Sequence, residues 1–463
     1  MIDPKIIRED PAKVKANLEK RRQPEVVEKL EKWVAQDKEW RTLKQETDDL
    51  RARRNTITEE IKIAKGSGKD ITALIEKAKH LPEEIRQKEV RVKELEVDNK
   101  TILMRIPNLL LEDVPYGKDG EENVVVRKWG KIEKKKFEVK HHGEVAKALG
   151  MADFDRAVKI SGQGFYALKG DLALLNLAIV NYSVELLAKK GFSLVIPPAM
   201  MNRKSYEGVT DLGDFESVMY KVEGEDHYMI ATAEHPLTGM LMDEIIEEKD
   251  LPIVQAGYST NFRKEIGKHG LDERGLFRLH QFDKVEQIII CKPEDSEKWH
   301  EKLVANAEEL CRAFEIPHRV ILICTGDIGT VAAKKYDIEV WSPREGKYFE
   351  THSLSNCTSY QATRLNIKYK KANGEKEFVH TLNATEVAIP RMLRAIIENH
   401  QTSEGTIRIP KALQKYMGGK KEIGAVKGKV VGVKKAAGKA KGTGTKKATK
   451  KKITKAKGAK KRK

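Results

Sequence analysis

A chain of 463 residues has room for about three domains, and its 40% apolar residues suffice for a true core, while a 34% charged fraction calls for exposed helices or tails as well. The formal charge is +18, but 17 Lys and Arg and no Asp or Glu fall in residues 425–463, so the basic character belongs to a tail and the preceding 424 residues are nearly neutral. The N-terminus carries Asp3, Glu9 and Asp10 and no signal-peptide pattern, and the longest apolar run, 172–180, falls short of the ~20 residues a bilayer requires, so a soluble, cytoplasmic protein with no membrane partner is expected.

Residues 25–106 are dense in Glu, Lys and Arg. Trp33, Trp40, Thr47, Arg54 and Ile61 recur every seven residues, and Leu43, Leu50, Ile57 and Ala64 repeat three positions later, which are the a and d series of a heptad. After a Gly-Ser-Gly break at 66–68, steps of three and four resume through Ile71, Leu74, Ala78, Leu81, Ile85, Lys88, Val92, Leu95, Asn99, Ile102 and Ile106. Two such seams joined by one break predict an antiparallel coiled-coil hairpin about 50 Å long. Pro82 costs ~3 kcal/mol in a helix interior and little at a helix start, so a restart is expected at Leu81–Glu84. Periodicity alone fits a spacer or dimerisation coil as well as an arm that reaches a distant partner.

From 111 to 418 both periodicities are mixed. Helices are expected over 171–190, 234–248, 294–314 and 390–401, and strands over 193–196, 219–222, 228–231, 253–259, 279–291, 319–323, 338–341, 348–352 and 378–382. Strands do not alternate with helices, which predicts an α+β fold with a mostly antiparallel sheet. No Walker or dinucleotide glycine pattern occurs. The four cysteines form no CxxC and read as buried free thiols in a reducing compartment, so no zinc is expected. Three regions result: an arm at 1–110, a globular domain at 111–418, and a low-complexity tail at 419–463 that cannot bury a core.

The segment NFRKEIGKHGLDERGLFRLHQFDKVE, residues 261–286, has strand-like ends and a Gly-rich middle. Residues two apart on a strand share a face, so Arg263 pairs with Glu265, and Arg278, His280, Phe282, Lys284 and Glu286 line up on the return. Fixed guanidinium groups, an aromatic plate and carboxylates on one face suit a nucleotide. Taken alone, a hairpin of this kind is more often a charged, solvent-facing surface.

FRKE, the loop and RLHQFDKVE are very similar to motif 2 of class II aminoacyl-tRNA synthetases in the form found in seryl-tRNA synthetases. GFSLVIPPAM at 191–200 resembles motif 1, with Pro198 as its proline, and TLNATEVAIPRMLRAIIENHQ at 381–401 resembles motif 3, with Arg391 as its arginine. ATAEHPL at 231–237 resembles the Thr-x-Glu serine loop, and ETHSLSNCTSYQATR at 350–364 the metal and ATP segment. With the coiled coil the likeness spans residues 1–418. It implies a class II antiparallel sheet with flanking helices, an arm that binds tRNA(Ser), and a homodimer built on motif 1.

The resemblance also implies the chemistry. Serine and ATP give seryl-adenylate and pyrophosphate, and the seryl group then moves to the 3′ end of tRNA(Ser). The first step needs charge neutralisation and in-line placement more than a covalent nucleophile. Arg263, Glu265 and Arg391 would be the catalytic set. Arg263 would bridge the α-phosphate and the serine carboxylate, while Arg278 and Arg391 would hold the γ-phosphate side. Phe282 would stack on adenine against Arg391, Glu265 would accept from its amino group, and Glu350 and Ser353 would ligate Mg²⁺. Lys264, Leu279, His280, Gln281, Thr351 and His352 would complete the ATP site. Thr232 and Glu234 would meet the serine ammonium, with Ala233 between them in the serine site, and Glu286 and Thr385 its hydroxyl, with Asn383 nearby and Arg263 at the carboxylate.

His352 and Thr363 depart from the family pattern, which has a small or apolar residue and a second arginine there. The Thr232–Glu234 pattern and scattered cysteines separate this chain from the zinc-dependent form of the enzyme. The Lys-rich tail resembles linker-histone tails in composition and fits non-specific RNA affinity or a solubilising appendage equally. Another class II synthetase, threonyl or prolyl, and a catalytically silent tRNA-binding paralogue stand as alternatives.

Overall fold

The computed structural model describes residues 1–211, 213, 215–265 and 275–424. The Gly-rich middle of the 261–286 segment, from Gly267 to Gly275, lies outside these except for Gly275, and so does the tail from 425.

Two short helices, Pro4–Glu9 and Pro11–Glu19, each open on a proline behind an aspartate cap, Asp3 and Asp10. They lead into Pro24–Gly66, 43 residues long and so about 65 Å from end to end. This helix packs against Thr72–Lys79 and Leu81–Leu103, and the second of these begins with Pro82 in its first turn, as the sequence predicts. Trp33, Thr47 and Ile57 from one side and Leu81, Ile85, Leu95 and Asn99 from the other are buried in the seam. Arg54, an a position by spacing, is exposed, because so long a side chain reaches water from the edge of a seam. Lys88–Glu46 (2.6 Å), Arg51–Glu89 (2.8 Å) and Arg91–Glu39 (2.9 Å) cross between the helices and mark their antiparallel register. Exposed pairs of this kind contribute at most about 1 kcal/mol each, so the seam carries the stability.

The base of the arm is fastened to the globule by buried polar groups. The Arg21 guanidinium donates to the carbonyls of Asn108, Ile328, Gly329 and Ala332 at 2.8–3.3 Å. Burial away from any carboxylate lowers its pKa to about 10.

The globule is built on an eight-stranded sheet. Across it the strands run Val124–Trp129, His318–Leu322, Lys334–Ser342, Lys347–Asn356, His380–Ala388, Gln281–Cys291, Ile253–Phe262 and Ser193–Val195. All neighbours are antiparallel except the last pair. Helices Gly170–Lys189, Ser296–Ala313 and Ile389–Asn399 supply one main core with the sheet, and a second core gathers Tyr206, Ile230, Leu237, Ile288, Ile290 and Leu365. Helix Gly170–Lys189 is long and apolar enough, by length and composition, to cross a membrane, more than the 172–180 run suggests. Its Leu172, Leu175, Ile179 and Leu187 are buried in the main core.

Several expected elements differ. Residues 234–248 do not form one helix: Glu234–Gly239 ends before Asp243, whose φ of 64° is incompatible with a helix, and Ile245–Glu247 is a strand beside Lys368–Lys370. Residues 219–222 contribute only a single bridge, Lys221 to Tyr228. The expected strand 279–291 begins at Gln281, and 378–382 divides into Lys376–Phe378 and His380–Ala388. Strand Glu422–Ile423 pairs with Ile407–Arg408, beyond residue 418, where the tail was expected to begin.

Candidate active site

Strands Ile253–Phe262 and Gln281–Cys291 pair with Phe262 opposite Gln281 and Gly257 opposite Glu286. Alternation along the second strand turns Phe282, Lys284 and Glu286 into a cavity of about 410 Å³. A bulge between Glu350 and His352 brings in residues that alternation alone would separate, so that Glu350, Thr351 and Ser353 all line the cavity. Asn383 and Thr385, two apart on their strand, line it by alternation, just ahead of a second bulge between Thr385 and Val387. Gly257 makes room on the sheet: a Cβ there would stand 2.6 Å from that of Ala233, so the missing side chain lets the 231–237 segment press Thr232 and Glu234 against Glu286.

One wall is cationic. Arg263 is anchored through Nε and Nη2 to the carbonyl of Ala231 (3.3 and 3.2 Å) and lies 5.2 Å over the Phe282 ring. Burial, then Arg391, lowers the Arg263 pKa, so this cation has given up water and seeks an anion. Arg391 meets Glu350 at 3.3 Å and stacks 5.1 Å over Phe277. Burial works to raise the Glu350 pKa, but Arg391, Lys335 and Arg263 outweigh it and hold the carboxylate below its ordinary range. Arg278 bonds Glu265 at 2.9 Å.

The other wall is a polar pocket. Lys284 Nζ donates to Glu286 (2.6 Å) and to Thr232 Oγ1 (3.1 Å), and Thr232 also hydrogen-bonds Glu286. The Glu234 backbone N–H donates to Glu286 at 3.2 Å, and its carboxylate accepts from Gln361 at 2.6 Å. Burial, then the Glu286 charge, pushes the Glu234 pKa up to about 7. Asn383 reaches toward the Cys357 sulfur at 3.6 Å.

Of the residues singled out in the sequence, Thr232, Glu234, Arg263, Glu265, Leu279, Phe282, Glu286, Glu350, Thr351, Ser353, Asn383, Thr385 and Arg391 line this cavity. Ala233 is buried against the sheet. Arg278 and His280 precede the strand, so alternation does not set their direction. Arg278 reaches the site through Glu265, and His280 bonds Tyr220 (2.8 Å) and stacks on Phe165. Gln281 is exposed and borders a second cavity that Phe282 also lines, and the Lys264 backbone N–H bonds Val218 outside the lining of the first. His352 is buried behind the bulge with its pKa lowered to about 3 by burial, then by His318, and it bonds Thr351 Oγ1 at 2.7 Å. Lys284, Phe277, Lys335, Gln361 and Cys357 take part without a role expected from the sequence. Lys284 carries a signal in its place two residues before Glu286, and Phe277, Cys357 and Gln361 lie inside the two quoted segments without a pattern that singles them out.

Residues 1–110 match the family model for the seryl-tRNA synthetase N-terminal domain, and residues 219–400 that for the class II tRNA synthetase core domain (G, H, P, S and T). A serine--tRNA ligase of Methanocella arvoryzae is 52% identical over 421 residues, 90% of this chain and 99% of that protein. The chain belongs to the seryl-tRNA synthetase family. A crystal structure of the Pyrococcus horikoshii seryl-tRNA synthetase complexed with ATP superposes with a TM-score of 0.88 at 45% identity, covering 92% of this chain and all of that one. The cytoplasmic serine-tRNA ligase of Naegleria fowleri, in complex with AMP, gives 0.81 at 33% identity over 90% and 96% of the two chains. The expected α+β fold with a class II sheet and an N-terminal helical arm is the family fold.

Proposed function

We propose that the cavity condenses L-serine with ATP to seryl-adenylate and then passes the seryl group to the 3′ end of tRNA(Ser). The observation that carries this reading is the Thr232–Glu234–Lys284–Glu286 pocket. Its acids suit an ammonium, its hydroxyl and carboxylate suit a small alcohol, and the desolvated Arg263 borders it. A site built to pair a hydroxyl rejects alanine by leaving those groups unpaired. Relatives complexed with ATP and with AMP support a nucleotide against the cationic wall.

In this reading Arg263 neutralises the serine carboxylate and the α-phosphate together, so that two anions approach. A carboxylate oxygen forms the new bond to phosphorus, the bond to the β-phosphate oxygen breaks, and pyrophosphate leaves with the electron pair. Arg391 and Arg278 hold the departing end, Phe282 stacks on adenine and Glu265 accepts from its amino group. A tRNA ribose hydroxyl then takes the acyl group and AMP leaves.

The donors beside Glu350 fit Mg²⁺. Ser353 and Asp337 are cross-strand partners, and Asp337 Oδ1 is buried without a hydrogen-bond partner among the described residues while its Oδ2 accepts from Lys335 Nζ at 3.0 Å, so the donors open to a hard cation are oxygens, with one ammonium beside them. Glu350 and Ser353 would hold the ion, which would neutralise phosphate charge.

The arm would contact tRNA(Ser) by shape and backbone. Arg51, Arg86 and Arg91 are engaged with Glu89, Glu83 and Glu39, whereas Arg53 and Lys93 have no carboxylate within ion-pair distance among the described residues. The latter two are the better phosphate contacts. Leu174, Leu177, Leu194 and Ile196 are exposed on the motif 1 helix and strand, which supports a homodimer there. Four buried free thiols fit a cytoplasmic protein.

Charging assays with tRNA(Ser), tRNA(Thr) and tRNA(Pro) transcripts and their amino acids test the reading. Serine on tRNA(Ser) alone is the expected product. Charging with threonine or proline would indicate another class II enzyme, and tRNA binding without charging a silent paralogue.

A further inference from the structure

Leu276, at the root of the segment that joins the two motif 2 strands, is tied to helix His142–Ala148, none of whose residues lines the cavity. The Leu276 N–H donates to Nε2 of His142 at 3.1 Å, and Nδ1 of the same ring lies 2.9 Å from Glu398 Oε1 on the motif 3 helix. Both side chains are fully buried. An amide N–H needs an unprotonated nitrogen as its acceptor, so the ring proton sits on Nδ1 and His142 donates to Glu398. Glu398 accepts in addition from Ser342 Oγ (2.5 Å) and Arg394 Nε (3.3 Å).

The neighbour of Leu276 is Phe277, which lines the cavity. Its ring is flanked by two arginines of the motif 3 helix, Arg391 at 5.1 Å and Arg394 at 4.6 Å. On the other side of Leu276, Gly275 has a φ of 79°, and a Cβ there would stand 2.7 Å from His142 Nε2. The backbone at 275–276 is therefore seated directly on the histidine ring.

We infer that His142 is a positioning residue for the ATP end of the site: by bridging Leu276 to Glu398 it fixes Phe277 against Arg391, and so sets where Arg391 meets the nucleotide. The inference rests on the ATP reading of the cavity.

Serine-dependent ATP–pyrophosphate exchange with the full chain, titrating ATP and serine separately, tests it. His142→Asn keeps a donor for Glu398 and loses the acceptor for Leu276, whereas His142→Gln keeps the acceptor. The Asn variant is expected to raise the KM for ATP about tenfold and that for serine less than about twofold, with the Gln variant within about threefold of wild type for both. Ser342→Ala, which removes a partner of Glu398 without touching Leu276, is expected to lower thermal stability and leave the KM for ATP unchanged. Gly275→Ala presses on the same residues from the backbone side and is expected to raise the KM for ATP selectively, which keeps the test sound if the Asn variant does not fold. Equal ATP KM values in the Asn and Gln variants, a parallel rise for ATP and serine, or a Ser342→Ala effect matching the Asn variant would overturn the inference. Absence of exchange in the wild-type protein would instead overturn the ATP reading, and this inference with it.

Discussion

Glu234 titrates near neutral pH first because burial penalises its charge, and next because Glu286 shares the pocket, where two carboxylates resist carrying two charges. An incoming ammonium favours the ionised form, so serine affinity is highest above the Glu234 pKa of about 7 and falls as pH drops through it. The KM for serine is expected to rise as pH falls from about 8 to about 6, approaching tenfold per unit on the acid side. Glu234→Gln should give a higher KM without that dependence. Exchange kinetics at saturating ATP check both, and a flat wild-type profile would count against Glu234 as the ammonium partner.

Glu386 presents a different problem. Neither carboxylate oxygen has a hydrogen-bond partner among the described residues, and burial raises its pKa from 4.5 to about 8. The folded state therefore binds this proton more tightly than the unfolded state. Its contribution to stability is fully present below pH 4.5 and is lost as pH rises toward 8. Glu386→Gln should remove that loss, so that the variant gains on wild type by about 1.4 kcal/mol per pH unit across the window. Denaturant midpoints at about pH 5.5 and about pH 8 read the difference directly. A gap that does not widen with pH would place the carboxyl in a wetter setting.

Among the elements, the arm was the most legible in the sequence, because a seven-residue period repeated over both helices leaves few other solutions. The Pro82 restart followed from the backbone chemistry of proline alone. The registers across the hairpin, with Glu46 beside Lys88, define a clean excision: residues 47–87 replaced by a short Gly-rich turn. Serine-dependent exchange should stay within about twofold, since Arg21 and Asn108 still fasten the base, while tRNA charging should fall at least about a hundredfold. Retained charging would mean that the arm is a spacer.

The sheet was legible in outline and not in detail, and the reason is local. A bulge adds one residue to a strand and reverses every face assignment beyond it, so Glu350 and Ser353, three apart, end on one side with no sequence signal for it. For the same reason His352 looked like an ATP contact and is buried behind the strand. The segment 234–248 misled because its helical pattern runs across Asp243, where the chain turns left-handed. Gln361 and Cys357 were invisible as site residues because tertiary packing, not periodicity, brings them to Glu234 and Asn383.

At the scale of the whole molecule, charge location is the quantity that composition disguises. The 17 basic residues of 425–463 leave a nearly neutral body, so a synthetase lacking them should activate serine as before. If the tail binds RNA, deleting it should flatten the salt dependence of tRNA binding, by a slope of about 0.7–0.9 for each phosphate that the tail had neutralised. An unchanged slope would assign the tail to some other task. The central claim is that the Arg263 cavity makes seryl-adenylate, and it is tested most directly by ATP–pyrophosphate exchange with serine, threonine and proline, on wild type and on Arg263→Ala. The account predicts exchange with serine above the other two, and loss of about a thousandfold or more in the variant with tRNA binding intact. Exchange driven equally by threonine or proline, or near-normal serine exchange in Arg263→Ala, would contradict it.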